Sequence, residues 1–363
     1  MNFDLNDDQQ LLRDTIDRMF EAHAAAPHNS AAEWDAYRDI GLLAIPFPAA
    51  LDGLDAGHEA VMLTMEAYGR TLARAPYLQS VLMAGRVLAD AGGSAAHDAL
   101  SAMLAGRSRP ALCLFEPRAR YRWDAPNTTA VRTEAGWTLR GEKVAVLNGD
   151  DADLLICPAM TAEGVSLLLV PAETPGVSRN VRPTPDGRSA ADISFADVTL
   201  ASDAAIGDPA TNSALLEVVV DGAMAACCAE AVGAMERLLA ITTQHLNTRP
   251  QFGAFIGSFQ ALQHRAADML TAMEQARSMT FYAVSMLDAP AAERRAAVAG
   301  AKALVNRAAR FVGSEAIQLH GGMGMASEYP AGRYFQRLTV IETMFGDTDH
   351  LLAMVEAGGG LPN

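Results

Sequence analysis

The sequence predicts a mostly α-helical chain with a central β-domain: a helical stretch over 1–109, a β-domain over 110–212 and a second helical stretch over 213–363. Two patterns carry this reading. Apolar residues recur at three- and four-residue spacing through the first and last thirds, the period of a helix with one buried face. Between Pro110 and about Asp208 the period drops to two, as in strands with alternating faces. Composition agrees, because half of the 363 residues are hydrophobic and a fifth are charged, which supplies more than one core and no bias to disorder.

The elements follow in order. Asn6 precedes an acidic first turn and caps a helix carrying Leu11, Leu12, Ile16, Met19 and Phe20. Val61, Met62, Met65, Tyr68 and Leu72 form the next stripe, and Val81 to Leu88 and Ala99 to Leu104 two more. Ile45-Pro46-Phe47-Pro48 to Gly53 is a loop, since two prolines cannot sit inside a helix. Strands are expected at Ala111–Phe115, Thr128–Thr133, Trp137–Arg140, Leu154–Cys157, Val165–Val170 and Asp192–Phe195, with turns at Glu134-Ala135-Gly136 and Asn148-Gly149-Asp150. Four long helices close the chain, roughly 220–248, 257–288, 291–323 and 337–355, broken at Pro250, Pro290 and Gly321-Gly322. Met269, Met273, Met279 and Met286 sit at helical spacing and read as bundle core.

Charge and cysteine usage exclude several classes. A net charge of −15 repels phosphate backbones and anionic headgroups, so neither nucleic acid nor a membrane surface is an expected partner. Cys113, Cys157, Cys227 and Cys228 form no Cys-x-x-Cys pair and read as reduced thiols. The acidic N-terminus lacks a signal-peptide pattern, and no apolar run approaches the roughly 20 residues of a membrane span; a cytoplasmic location is expected. His245, His264, His320 and His350 lack metal-ligand spacing, so no metal site is expected and each reads as a satisfied helix histidine. Nucleophile-elbow, Walker and Gly-x-Gly-x-x-Gly signatures do not occur.

The most specific stretch is Arg249-Pro250-Gln251-Phe252-Gly253-Ala254-Phe255-Ile256-Gly257-Ser258-Phe259-Gln260, running on to Ala266-Ala267-Asp268-Met269. A second is Gln318-Leu319-His320-Gly321-Gly322-Met323-Gly324, followed by Glu328-Tyr329-Pro330 and Arg333. Weaker pieces agree in order: Gly41-Leu42-Leu43, Glu116-Pro117, Gly141-Glu142-Lys143, Ala152-Asp153, Phe195-Ala196-Asp197-Val198 and Ile206-Gly207. Together they resemble the flavin-dependent acyl-CoA dehydrogenase superfamily over nearly the whole chain.

The resemblance implies an N-terminal helical domain, a β-barrel or sandwich, a C-terminal four-helix bundle that drives oligomerisation, and FAD as cofactor. It implies α,β-dehydrogenation of an acyl-CoA thioester, with an electron-transfer-flavoprotein-like acceptor. Arg249 would reach the FAD pyrophosphate of a neighbouring subunit, which suits a guanidinium's paired donors. Gln260 would bond the same dinucleotide, Gly321 and Gly322 would let backbone approach it without a Cβ in the way, and Phe252, Gln318 and Thr348 complete the set.

The base is where the sequence departs. A family dehydrogenase removes the substrate α-proton with a Glu while the β-hydrogen leaves as hydride to the flavin. The usual Glu of a Tyr-Glu-Gly-Thr segment falls on Phe345, or on Gly346 if one residue is inserted, and the less common location, on the helix before the Arg-x-x-Phe-Gly turn, falls on Ala223 with Met224 in place of an Arg. None of these takes a proton. Asp347 and Asp221 lie two residues away from the two locations and are the candidate catalytic carboxylates; the alternative for each is a cap or surface Asp.

The β-domain departs in the same direction. The family's Thr-Glu-Pro-x-x-Gly-Ser-Asp loop reads Phe115-Glu116-Pro117-Arg118-Ala119-Arg120-Tyr121-Arg122 here, and its Trp-Ile-Thr piece reads Ala145-Val146-Leu147. Such losses, with Phe345-Gly346-Asp347, resemble the small subunits of two-chain bacterial acyl-CoA dehydrogenases. Three readings stay open: a homo-oligomer using Asp347 or Asp221, a non-catalytic subunit of a heterotetramer with a related chain, and another flavin oxidation on the same fold.

Overall fold

The computed structural model describes residues 5–24, 29–326 and 329–360. Glu328 of the second motif lies outside them. Helix α1 (Asp7–Ala24) starts where Asn6 predicts: Asn6 Oδ1 accepts from the Gln9 N–H at 2.8 Å and Gln9 Oε1 from the Asn6 N–H at 3.0 Å, a reciprocal cap. Helix α2 (Ser30–Asp39), which the periodicity did not announce, is capped by Asn29. Helix α3 (Gly57–Thr71), a π-helical run over Tyr77–Gly85, α4 (Arg86–Ala91) and α5 (Ser94–Leu104) follow.

The β-region comprises β1 (Ala111–Leu112), β2 (Thr129–Thr133), β3 (Gly136–Leu147), β4 (Leu154–Thr161), β5 (Gly164–Pro171), β6 (Val177–Pro183), β7 (Ser189–Leu200) and β8 (Ala205–Ile206). They form one eight-stranded sheet in the order β6-β7-β3-β2-β4-β5-β8, with β1 parallel to β4. Trp137, Leu139, Leu155, Cys157, Leu168, Ile193 and Phe195 alternate into its core. Strand β6 escaped the sequence reading because it is an edge strand with almost every side chain exposed, so it carries no apolar alternation.

The C-terminal helices are α6 (Asn212–Thr248), α7 (Gln260–Ser285), α8 (Ala291–His320), α9 (Pro330–Thr343) and α10 (Thr348–Ala357), with a small hairpin of β9 (Pro250–Gln251) and β10 (Ala254–Phe255) between α6 and α7. The single helix expected over 337–355 is two helices. Phe345 at φ +61° and Gly346 at φ +153° leave the helical region, and Asp347 restarts the chain as N-cap of α10.

The chain divides into two compact units. The first gathers Met1–His28, His58–Ala73 and Met224–Asn363, and the second Asn29–Gly57 and Arg74–Ala223. In the first, α3 and α6 touch backbone to backbone: a Cβ on Gly69 would lie 1.9 Å from the Glu230 carbonyl oxygen, and one on Gly233 1.9 Å from that of Glu66. Only glycine permits so close a crossing. In the second, Glu33 of α2 is buried and accepts from the Arg74 and Ala75 N–H groups at 2.7 and 2.8 Å.

Candidate cofactor and active site

The two motifs of the helical unit, some seventy residues apart in sequence, meet at the C-terminal ends of α6 and α8. Arg249 leaves the last turn of α6 with its N–H donating to the His245 carbonyl at 2.9 Å, and its side chain is exposed. The hairpin then turns at Phe252 (φ +54°) and Gly253 (φ +81°), so that Phe252 is 92 % exposed, its ring edge to face with Phe259 at 6.4 Å. A bulky residue in the left-handed region with its ring in water contributes little to this fold by itself. Gln260, the first residue of α7, is exposed.

At the end of α8, Gln318 is exposed and its carbonyl accepts the Gly321 N–H. Gly321 adopts φ +59°, and a Cβ on Gly321, Gly322 or Gly253 would meet nothing within 4 Å. These bare backbone surfaces, with exposed Arg249 and Gln260, fit the phosphate-bearing end of a dinucleotide. His245 and His320, which sequence spacing had treated as scattered, are stacked, their ring centroids 4.5 Å apart, with Tyr329 4.9 Å from His320. No sequence signal marks this pairing, since it joins helices distant in the chain.

The loop between α9 and α10 is built differently. Phe345 is 2 % exposed. Lys302 of α8 is fully buried and donates to Asn306 Oδ1 at 2.5 Å and to the Ile341 carbonyl at 2.8 Å. Asn306 Nδ2 in turn donates to the carbonyls of Glu342 and Gly346 at 3.0 and 3.4 Å. The pair thereby satisfies the last carbonyls of α9, where a cation is also favoured by the helix dipole. Burial pushes the Lys302 ammonium below its ordinary range. Helix α9 is tied to α6 by Arg337 and Glu230, both buried, at 2.6 and 2.8 Å in a bidentate pair.

Of the two candidate carboxylates, Asp347 is half-buried and accepts the His350 N–H at 2.9 Å as the cap of α10; Thr348 opens that helix, half-buried. Asp221 is fully buried on α6, in the second unit, as are Ala223 and, across the boundary, Met224. Tertiary packing alone distinguishes the two aspartates.

In the β-unit, Glu116 is buried and accepts from Lys143 Nζ at 2.8 Å, the Thr128 N–H at 3.0 Å and the Asn127 N–H at 2.6 Å. Burial opposes the charge, but the bonds from Lys143 and Thr128 prevail and hold the carboxyl at about 2. This pair pins the loop from Phe115 to Trp123, whose rings meet edge on at 6.5 Å. Ala145, at φ +51°, donates its N–H to Asp192 Oδ1 at 3.1 Å. The two loops that the resemblance sets at the flavin ring are thus held in place; apart from the paired Glu116, their side chains are aromatic, basic or apolar.

All four cysteines are buried and free, and burial raises the thiols, Cys157 to about 11 and Cys227 and Cys228 to about 12. Among the described residues no cluster of His, Cys, Asp and Glu could hold a metal ion, and no helix is long and apolar enough to cross a membrane.

Comparison with known proteins agrees with this geometry. The family description "Acyl-CoA dehydrogenase, middle domain" matches residues 111–200, from β1 through β7, and "Acyl-CoA dehydrogenase, C-terminal domain" matches residues 221–359. The human mitochondrial short-chain specific acyl-CoA dehydrogenase is 28% identical over 88% of this chain and 80% of its own. The probable acyl-CoA dehydrogenase YngJ of Bacillus subtilis (strain 168) is 27% identical over 96% and 97%. Among solved structures, a point variant of the Tcur3481-Tcur3483 steroid ACAD superposes with a TM-score of 0.86 at 27% identity, over 97% of this chain and 98% of that one. The ChsE4-ChsE5 complex from Mycobacterium tuberculosis superposes at 0.87 and 24% identity over 100% of both. From the two domain matches, the full-length relatives and the shared fold, the chain belongs to the acyl-CoA dehydrogenase superfamily of FAD-dependent oxidoreductases.

Proposed function

We propose that this chain is the subunit of a heteromeric acyl-CoA dehydrogenase that supplies the dinucleotide end of the FAD site and leaves α-proton abstraction to a related chain. The observation that carries this is Phe345. The loop that would present the base is ordered by Lys302 and Asn306, yet the side chain it holds is a buried phenyl ring that cannot take a proton. Arg249, Phe252, Gln260, Gln318, Gly321, Gly322 and Thr348 would be the cofactor-facing set. FAD, when bound, supplies the hydride acceptor. Arg249 would neutralise pyrophosphate charge, and the glycines would admit the cofactor to backbone distance.

The substrate is an acyl-CoA thioester, the electron acceptor resembles an electron-transfer flavoprotein, and the location is cytoplasmic, which the four reduced, buried thiols support. Two of the similar structures bear paired names, Tcur3481-Tcur3483 and ChsE4-ChsE5, which favours a mixed assembly over a homo-oligomer.

One observation favours a second reading, self-sufficient catalysis: Asp221 is a fully buried carboxylate near a location where some family members keep their Glu. Asp347 is the weaker candidate for that role, because its Oδ1 is engaged in capping α10.

The test is purification of the chain alone and co-expressed with a related chain carrying the Glu. The mixed assembly should hold FAD and turn over acyl-CoA, and the single chain should show little turnover. Steady turnover by the single chain, with stoichiometric flavin and no second polypeptide on a gel, refutes the proposal in favour of the second reading.

A further inference from the structure

His245 and His320 face one another across the junction of the two motifs, and their surroundings are unusual. Each is more than nine-tenths buried, at 7 % and 5 % exposure, and the rings lie at 33° to each other. Tyr329 closes the group, 6.3 Å from His245 at 70° and 4.9 Å from His320 at 55°. His320 Nδ1 lies 2.8 Å from the Ala316 carbonyl, so it carries the proton, and the buried Nε2 is a lone pair without a hydrogen-bond partner. The arrangement suits two neutral imidazoles and has no place for a second proton on His320, which would be a buried, unpaired donor.

Each ring also sits at the root of a cofactor-facing segment. His245 is one turn before Arg249 and accepts its backbone N–H; His320 immediately precedes Gly321 and Gly322. The stack is therefore a direct side-chain link between the ends of α6 and α8. We infer that His245 and His320 are positioning residues for the dinucleotide: as a neutral stacked pair they hold the Arg249 turn and the Gly321-Gly322 turn in register, and a proton on either ring opens the stack and loosens FAD. The inference rests on the reading of those two turns as FAD-binding.

The titratable and charged groups facing the pair, among the described residues, are Arg249 from α6, Tyr329 before α9 and the opposite imidazole. Burial, then His320, then Arg249 hold His245 below its ordinary value of 6.5, and burial outweighs the Ala316 bond in lowering His320. Tyr329 is raised by burial and stays neutral. The sign follows from linkage. Because the closed stack binds protons less readily than the open one, its contribution is complete above pH 6.5 and is lost as pH falls through the lowered values.

The experiment is FAD affinity of the co-expressed assembly between pH 8 and 5, followed by flavin fluorescence after dilution, for the wild type, His245→Phe, His320→Phe and the double variant. Phenylalanine keeps a stacking ring and removes the proton. Wild-type affinity should fall below pH 6.5 with a slope approaching about tenfold per pH unit for each proton taken up, and the double variant should be flat. NMR titration of the imidazole Cε1–H signals in the wild type should show both rings titrating over the pH range of release. An undiminished pH dependence in the double variant overturns the inference; if that variant fails to fold, rings that titrate without accompanying release overturn it equally. Arg249→Ala at pH 8 separates the two levels. If it leaves FAD affinity unchanged, the FAD-site reading fails and this inference with it; if it weakens FAD while the double variant keeps the wild-type profile, only the histidine role fails.

Discussion

The junction of α6 with α8 and the loop between α9 and α10 belong to the same helical unit, and they have been treated in opposite ways. At the junction, arginine, glutamine and bare glycine backbone are exposed, and a phenylalanine stands 92 % in solvent in a left-handed turn. In the loop, the Ile341 and Glu342 carbonyls at the end of α9 are tied down and the central side chain is a buried ring. The first region has polar and aromatic groups that the isolated chain has no structural use for. The second has an ordered backbone and a phenyl ring at its centre, and its one carboxylate, Asp347, caps α10. This contrast, exposed polar groups in one region and a buried ring in the other, is the one on which the proposed function rests.

The comparison can be broken most severely on the loop side. Arg337→Ala removes the bidentate partner of the buried Glu230 carboxylate and should destabilise the protein by about 3–5 kcal/mol, seen in denaturant unfolding. A loss below about 1 kcal/mol would show that α9 is not anchored through this pair.

On the junction side, Arg249→Ala should weaken FAD binding by about 1.5–3 kcal/mol, roughly tenfold to a hundredfold, while leaving thermal stability of the apo chain nearly unchanged. Equilibrium dialysis against FAD checks this. A matching fall in Tm would place Arg249 with the loop residues, as a structural group.

Asp347→Ala should cost about 1 kcal/mol of stability through the lost cap of α10, and neither it nor Asp221→Asn should change turnover of the mixed assembly by more than about threefold. Turnover falling by about 10²–10⁴-fold in either variant would mark a general base and restore the self-sufficient reading.

The smallest effect is expected at Phe252. Phe252→Ser should alter the stability of the isolated chain by no more than about 0.5 kcal/mol, while lowering flavin retention in the assembly. Loss of stability in the single chain would mean that the ring packs within its own subunit.

Much of this was legible in the residues themselves. The Asn6 cap, the helix breaks at Pro250 and Pro290 and the alternating strands of the sheet follow from local rules, because capping, proline geometry and side-chain period act within a few residues. Motif spacing puts Phe345 and Ala223 at the two expected base positions, an assignment on which the proposed function rests. What failed did so for physical reasons: β6 is an edge strand without an apolar face, and the break at Phe345-Gly346 lies in a run whose composition is helical on both sides.

The amino-acid sequence by itself determined the order of helical and β-regions and the superfamily, because each is written in neighbouring residues or in the spacing of motifs. Only the tertiary structure decided that Asp347 is a cap while Asp221 is buried, that Lys302 and Asn306 hold the loop between α9 and α10, and that His245 stacks on His320. Those facts depend on which helix faces pack together across scores of residues, and burial and contact at that range are properties of the folded chain that no local pattern contains.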